Sequence, residues 1–289
     1  MASTTTLPKK NQTRNLPARP GYHLTRVKKQ VLNLLGEHFC LRTNDLVQLV
    51  YGKQTEPNQA SMRRTLGLLR REGLLNRLPY LEPDLDRGGI TFVYGLSNKA
   101  LNYPDPDVVP NTYLAKTFDE HSQRTLDHEL EISFFHVALN RLCAEKNLKL
   151  FWQQRDLKCT INPDAYFAIT DPAKPEGKNT FHYFLEIEHA KLGHFKNGEP
   201  QIMTKLGKYY DYYNSPQCER EWKHFRQFRV IVIQRTEAKR DFLLAKLAEK
   251  YKHRMFWLTT EGLYKQGIGA EIFRTPKDSA EVSVKIAGS

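Results

Sequence analysis

The sequence predicts an α/β protein, α+β overall, whose chain falls into two folded parts. Residues 21–100 show helical periodicity three times and then two short apolar runs. Residues 101–117 hold three prolines within seven positions, which favours a linker between domains. Residues 118–275 alternate helix-like and strand-like segments, the pattern of an α/β sandwich with a mixed sheet. A hydrophobic content of 40% over 289 residues is that of a globular chain.

The charge is concentrated near the start of the chain. The net charge is +12, and residues 1–80 hold fourteen Lys and Arg against four Asp and Glu. Residues 1–20 have no apolar periodicity and are predicted to be a disordered basic tail, and residues 276–289 a flexible one. Clustered positive charge on a folded segment is typical of proteins that bind nucleic acid. The alternative is a solvated surface that only aids solubility.

Three helices are predicted in the basic part. The first lies in LTRVKKQVLNLLGEHF, where apolar residues recur at helical spacing. The second lies in TNDLVQLVYG, with Thr43 as its cap and Gly52 at its end. The third follows Pro57 in NQASMRRTLGLLRREG, and its inner stripe consists of Met62, Leu66 and Leu69.

A hairpin follows the third helix. Two apolar runs flank an Asp-Arg-Gly-Gly loop, and three helices followed by a β-hairpin make a winged helix-turn-helix. In that arrangement the third helix enters the major groove of double-stranded DNA. The alternative is a domain that mediates protein contacts only. The predicted DNA-binding residues are Gln59, Ser61, Arg63, Arg64, Arg70 and Arg71 of the third helix and Arg87 of the hairpin loop.

The second part is predicted as helix, three strands, helix, strand, helix, strand. The first helix lies in SQRTLDHELEISFFHVALNRLCAEKN, and the strands that follow lie in LKLFWQQRDLK, INPDAYFAIT and TFHYFLEIEHA. The next helix is GEPQIMTKLGKYYDYYNS, followed by FRVIVIQ, the helix AKRDFLLAKLAEKYK and the strand RMFWLTT. Continuous apolar strands of this kind are buried on both faces and are often parallel.

Two carboxylates lie on one face of a predicted apolar strand. In FLEIEHAK, Glu186 and Glu188 share a face because strand side chains alternate, and they lie about 7 Å apart. Asp164 follows Pro163 at the start of the preceding strand. If the two strands are neighbours, the three carboxylates converge and require a cation, for which hard oxygen ligands favour Mg²⁺ or Mn²⁺. The alternatives are a turn-forming Asp and the exposed face of an edge strand.

The following helix adds Lys205 and Tyr209, which lie four residues apart on one face and can approach a cleaved phosphate. Tyr209 belongs to KYYDYY, whose tyrosines can supply a covalent nucleophile, stack on unpaired bases or pack in the core. The first helix of this part carries Glu129 and Glu131, which we expect to be exposed to solvent.

The remaining composition limits the class of protein. The four cysteines lie far apart and are predicted to be free thiols, buried in a protein of the reducing cytoplasm. No C-x-x-C pair exists and no H-x-x-x-H pair lies on a predicted helix, so a zinc site is not expected. No run of eighteen apolar residues exists, so the sequence predicts no membrane span and no membrane partner.

The order PDAYF, FLEIEHAK and a helix with Lys205 and Tyr209 resembles the PD-(D/E)xK nuclease fold of restriction endonucleases. With a winged helix in front, the chain is similar to the replication-relaxation family, including the MobC/TraX-type relaxases of plasmids. In the usual nuclease pattern the third residue is Lys, whereas Glu188 stands there in this sequence. Lys205 can be a migrated equivalent of that lysine.

The resemblance implies a metal-dependent endonuclease that nicks one strand at a plasmid transfer origin. Its catalytic and metal-binding set would be Asp164, Glu186 and Glu188, with Lys205 and Tyr209 beside them. Its partners would be double-stranded DNA, single-stranded DNA, and coupling or mobilisation proteins. The alternative is an inactive DNA-binding accessory protein or a transcription or replication regulator of a mobile element.

Overall fold

A computed structural model gives the fold of the chain. It describes residues 24–81, 90–100, 103, 105, 107–108, 123–154, 157, 159–188, 195–196, 199–222, 227–276, 283–284 and 286. The helices and strands within these ranges form an α+β fold, as predicted. The chain divides into two compact units, one holding the described residues of 24–43 and 55–108 and the other those of 44–54 and 123–286. The predicted tail 1–20 and most of the predicted linker lie outside the described residues.

The described residues before position 97 form three helices and three strands. In chain order these are α1 (Arg26–Glu37), β1 (Leu41–Arg42), α2 (Thr43–Tyr51), α3 (Glu56–Arg71), β2 (Leu75–Leu81) and β3 (Ile90–Leu96). Strand β3 lies between β1 and β2 and pairs antiparallel with both. The three helices and the hairpin were predicted. Strand β1 was not, because two residues are too few to show a period of two.

Helix α3 forms where the sequence pattern placed it. Its inner stripe, Met62, Leu66 and Leu69, is buried. The helix ends because Gly73 adopts a positive φ of 72°, and Leu74 N–H then donates to the Leu69 carbonyl at 2.9 Å.

The second unit contains a large mixed sheet and the helices around it. Its elements are α4 (Gln123–Glu145), β4 (Lys149–Gln153), β5 (Ala165–Thr170), β6 (Thr180–Glu188), β7 (Phe195–Lys196), β8 (Glu199–Pro200), α5 (Gln201–Tyr213), α6 (Pro216–Glu221), β9 (Phe228–Gln234), α7 (Glu237–Lys250), β10 (Phe256–Thr260), α8 (Glu261–Gly267), β11 (Phe273–Arg274) and β12 (Ser283–Val284). Seven strands form the sheet in the order β12-β11-β10-β9-β6-β5-β4.

Strand β6 lies inside this sheet. It pairs antiparallel with β5 and parallel with β9, and β9 pairs parallel with β10. The predicted adjacency of the two acidic strands and the parallel pairing of the late strands are therefore confirmed. The alternative in which Glu186 and Glu188 lie on the exposed face of an edge strand is wrong, because β6 has a hydrogen-bonded neighbour on each side.

The two faces of β6 belong to different halves of the core. Leu185 and Ile187 pack with residues of α4 and α8, whereas Phe184 packs with residues of α5 and α7. Because side chains alternate along a strand, Glu186 and Glu188 lie on the α5 side. The fold thus places both glutamates under the helix that carries Lys205.

Six short elements of the second unit were not predicted: β7, β8, α6, α8, β11 and β12. Each has two to seven residues, which is too short for a clear hydrophobic period. The two helices begin at side-chain caps: Ser215 Oγ accepts from Cys218 N at 3.4 Å, and Thr260 Oγ1 accepts from Leu263 N at 3.4 Å.

The cysteines agree with the prediction, since none of the four forms a disulfide and three of them are buried: Cys40, Cys143 and Cys218. Cys159 is partly exposed. Within the described ranges, every helix is too short or too polar to cross a membrane.

Candidate active site

Glu186 is the centre of the candidate site. It lies near the carboxyl end of β6, and only 2% of it is exposed. The Lys205 ammonium pairs with Oε2 of Glu186, and the Tyr209 hydroxyl donates a hydrogen bond to Oε1. Both carboxylate oxygens are therefore satisfied by one helix, as a buried carboxylate requires.

Helix α5 presents these two partners. Lys205 and Tyr209 are one turn apart, so they lie on the same face of the helix, as predicted. Ile202, Met203 and Leu206 are buried in the core beside the sheet and hold α5 against it. The hydrophobic side of the helix thus fixes the position of the polar pair.

Asp164 lies just before β5 and is held against β6 by the backbone. Its N–H donates to the Leu185 carbonyl at 3.1 Å, and its Oδ2 accepts from Ile187 N–H at 2.7 Å. Its Oδ1 is 3.9 Å from the Lys205 ammonium. Asp164 and Glu186 therefore share one cation at the end of two neighbouring strands.

The two carboxylates have opposite pKa shifts. Burial raises the pKa of Glu186, and the nearby charge of Asp164 raises it further. Burial also opposes ionisation of Asp164, but its contact with His128 and the charge of Lys205 outweigh that cost and lower the pKa of Asp164. Two neighbouring acids whose pKa values are shifted in opposite directions are typical of functional sites.

His128 is a member of the site that the sequence reasoning missed. It lies in the first turns of α4, and its Nε2 is 3.5 Å from Oδ1 of Asp164. Burial lowers its pKa, but contact with Asp164 produces a net increase. The histidines were considered only as zinc ligands, so an acidic partner on another element was not sought.

Glu188 lies farther along β6 and is partly exposed. With Lys205, Lys208 and Tyr209 it lines a cavity of about 490 Å³, which residues 160–162 also border. The predicted convergence of three carboxylates is not present, because the described residues contain no group of three or more His, Cys, Asp or Glu that could hold a metal ion. The Lys205 side chain, which comes from a helix, lies between Asp164 and Glu186 instead.

Glu131 was expected to be exposed to solvent, but it is buried, with 2% of its surface exposed. It accepts a hydrogen bond from the Tyr264 hydroxyl and lies 3.2 Å from the Lys265 ammonium. Burial raises its pKa to about 7. Glu129 is partly exposed and accepts from Gln154 Nε2 at 2.9 Å. The helix α8 that supplies Tyr264 and Lys265 was not predicted, so the burial of Glu131 was not either.

The predicted DNA-binding residues of α3 lie away from its inner stripe. Those most exposed are Ser61, Arg63, Arg64 and Arg71, and those partly exposed are Gln59 and Arg70. Arg63 pairs with Glu56 at 3.2 Å and donates to Gln59 Oε1 at 2.8 Å. Arg87 lies outside the described residues.

Comparison with known proteins gives one family. Residues 32–227 match the family model described as replication-relaxation. Searches of the curated proteins and of the solved structures return no match. The matched segment covers more than half of the chain and includes Asp164, Glu186, Glu188, Lys205 and Tyr209. The chain therefore belongs to the replication-relaxation family.

Proposed function

We propose that the chain is a metal-dependent, site- and strand-specific DNA endonuclease of the MobC/TraX relaxase type, which nicks a transfer origin to start mobilisation. Membership of the replication-relaxation family points to a role in plasmid replication or mobilisation and to interaction with DNA. The observation that supports cleavage is the arrangement of Asp164, Lys205 and Glu186 near the carboxyl end of β6.

Lys205 is the group best placed to act on a phosphodiester. Its side chain is about one third exposed and lines the cavity, whereas its ammonium is fixed by Glu186 and Asp164. A cation fixed at this position can contact a phosphate oxygen and stabilise the charge that develops during cleavage. Glu188, which borders the same cavity, is placed to orient an attacking water.

The acidic residues fit a divalent cation in donor chemistry. Asp164 and Glu186 already share one cation, the Lys205 ammonium, so their position suits positive charge. Carboxylate oxygens are the ligands that Mg²⁺ and Mn²⁺ prefer, and Asp164 and Glu186 would supply them. When bound, such an ion polarises a phosphoryl oxygen and lowers the pKa of a bound water.

The residues before position 97 are proposed to find the DNA. The order α1, β1, α2, α3, β2, β3 with a three-stranded antiparallel sheet supports the proposal of a winged helix. We interpret α3 as its recognition helix, because Arg63, Arg64 and Arg71 are exposed on it. A nuclease unit following a DNA-binding unit would cut at a chosen sequence.

A second candidate is a DNA-binding accessory or regulatory protein whose nuclease-like unit has lost its chemistry. It is favoured because the described residues contain no cluster of three or more His, Cys, Asp or Glu side chains that could hold a metal ion. The retained Asp164 and Glu186 and the cavity beside them oppose it.

The experiment that tests the proposal uses the purified full chain and a supercoiled plasmid that carries the intergenic DNA flanking its gene. We expect conversion to open circles in Mg²⁺ or Mn²⁺, none in EDTA, and a single nick position on one strand when the ends are mapped. Sequence-specific DNA binding without nicking in either metal would support the accessory protein instead.

A further inference from the structure

Phe92 is a large apolar side chain that faces solvent, with 37% of it exposed. It lies on β3, and the guanidinium of Arg77, on the neighbouring edge strand β2, stacks 4.0 Å from the centre of its ring. The two side chains share a face of the hairpin, because Arg77 pairs with Tyr94 and Pro79 pairs with Phe92. The ring is thus a flat support for an exposed arginine.

A second arginine lies near Arg77. Arg70 is in the last turn of α3 and is partly exposed. Burial lowers the pKa of Arg70, and the nearby charge of Arg77 lowers it further. Both guanidinium groups keep their protons, since arginine is not deprotonated in proteins. Two neighbouring cations therefore repel each other where α3 ends.

No acid neutralises these two cations. Among the residues that the structure describes, neither Arg70 nor Arg77 has an ion-pair partner. Arg63 of the same helix differs, because it pairs with Glu56 at 3.2 Å. Neighbouring like charges without an acid are unfavourable, and an anion that binds to both removes the repulsion. The pair Arg70 and Arg77 is therefore a candidate anion site.

The chemistry of the pair favours a phosphate. A guanidinium group presents a planar fork of donors that matches two phosphate oxygens. The stack on Phe92 holds the Arg77 fork in one orientation, so less side-chain freedom is lost when an anion binds. Exposed aromatic area and unpaired charge on one surface are thus both explained by a bound phosphate.

The position on α3 favours the backbone of DNA over its bases. In a helix-turn-helix the N-terminal residues of the recognition helix contact base edges, and the C-terminal end can contact the backbone. Arg70 lies seven residues after Arg63, so the two share a face of α3 and lie about 10 Å apart along its axis. A duplex that meets Arg63 with its bases would therefore bring a phosphate strand to Arg70.

We propose that Arg70 and Arg77, with Phe92 as the support of Arg77, bind a backbone phosphate of duplex DNA. The choice of DNA rests on the proposed function. A phosphate contact positions the protein on the duplex but carries no sequence information. It therefore differs from the role proposed for Arg63 and Arg64, which is to read bases.

The test measures the affinity of the full chain for two labelled duplexes of equal length in EDTA, by fluorescence anisotropy. One duplex carries the intergenic DNA that flanks the gene, and the other carries a scrambled sequence. Arg77→Gln should weaken binding to both by the same factor, about tenfold, and lower the slope of log affinity against log salt by about 0.9. Arg141→Gln, which removes an exposed arginine paired with Glu145, should change neither value.

Two further variants separate the charge from its support. Arg77→Lys keeps the cation but not the planar fork, so we expect an unchanged slope and a lower affinity. Phe92→Leu keeps both arginines and should also leave the slope unchanged, while the affinity falls about two- to fivefold because Arg77 loses its stacking partner. Melting temperatures establish that each variant is folded.

An unchanged slope and affinity in Arg77→Gln would overturn the proposal. A loss confined to the intergenic duplex would also overturn it, because Arg77 would then read a base. Binding of a polyglutamate peptide as tight as that of the duplex would overturn it in favour of an acidic protein partner.

The experiment also separates this inference from the nuclease. A wild type that binds neither duplex would refute both the phosphate site and the DNA-binding role in the proposed function. A wild type that never nicks DNA but shows the Arg77-dependent slope would refute the nuclease and keep the phosphate site.

Discussion

Lys205 of α5 and Glu186 of β6 form an ion pair whose carboxylate is almost fully buried. A carboxylate inside a sheet is costly unless a cation and hydrogen-bond donors satisfy it. Here Lys205 supplies the cation and Tyr209 the donor, both from one helix. The pair stabilises the packing of α5 on the sheet and, in the proposed function, holds Lys205 beside the reacting phosphate.

Replacing Lys205 tests the stabilising role. Lys205→Met leaves Glu186 without its cation, and we expect the free energy of unfolding to fall by about 2 kcal/mol, less than for a fully buried pair because Lys205 is partly exposed. The pKa of Glu186 is raised in the folded protein, so the penalty grows as the pH rises and its proton is lost. Urea unfolding at about pH 6 and about pH 9 measures both effects.

The matched control is Lys246→Met, which removes a partly exposed lysine that pairs with Glu249 on α7. We expect it to change stability by less than about 0.5 kcal/mol at either pH. Equal stability of the Lys205 and Lys246 variants would show that the buried pair does not stabilise the fold.

Tyr209 is predicted not to be a covalent nucleophile. It is 0% exposed, its hydroxyl donates to Glu186, and burial raises its pKa well above the ordinary value, so the phenolate is disfavoured. Tyr209→Phe should still nick DNA, with a rate lowered by about tenfold through looser positioning of Glu186. The wild type should give no SDS-resistant protein–DNA complex on labelled DNA. A covalent complex that Tyr209→Phe abolishes would contradict this.

The proposed recognition helix can be tested with Arg63 and Arg64, both exposed on α3. The double change to Ala should weaken binding of the full chain to its target duplex by about 1–3 kcal/mol if either residue reads a base. Arg141→Ala removes an exposed arginine on α4 as a control for net charge. Fluorescence anisotropy at physiological salt measures the affinities, and the recognition-helix assignment fails if the double variant and the control bind equally well.

Glu131 makes stability depend on pH. Its pKa is about 7 in the folded chain and near 4.5 when unfolded, so between these values only the folded chain holds the proton. The wild type therefore loses stability as the pH rises through this window. In Glu131→Gln the free energy of unfolding should fall by up to about 3 kcal/mol less across this pH window than in the wild type. Glu145→Gln, at an exposed position, should show the same fall as the wild type. Melting or urea curves across the window show the difference, and parallel pH profiles would contradict it.

The sequence predicts the larger elements well because their hydrophobic patterns are long. The stripe of α3 and the continuous apolar run of β9 are confirmed as a helix face and a buried strand. The face shared by Glu186 and Glu188 follows from strand alternation alone. Strand alternation does not predict that this face is covered by α5, because that depends on how α5 packs on the sheet.

Contacts between elements that are far apart in the sequence could not be predicted. His128 reaches Asp164 from α4, and Glu131 is buried by Tyr264 and Lys265 from a seven-residue helix. Such pairs have no spacing signature, since 36 and more residues separate the partners. The position of Lys205 between two carboxylates likewise depends on how α5 packs on the sheet.

The most direct test of the nuclease assignment is the rate at which Glu186→Gln nicks supercoiled plasmid carrying the flanking intergenic DNA, in Mg²⁺ or Mn²⁺. The amide keeps the shape of the side chain but removes the charge that Lys205 and a divalent cation require, so we expect a loss of about 100-fold or more. Asp164→Asn and Glu188→Gln should show losses in the same direction, with the fold and duplex binding retained. The control Glu145→Gln should nick as the wild type does. Wild-type nicking by Glu186→Gln would contradict the account, because the buried carboxylate would then have no part in cleavage.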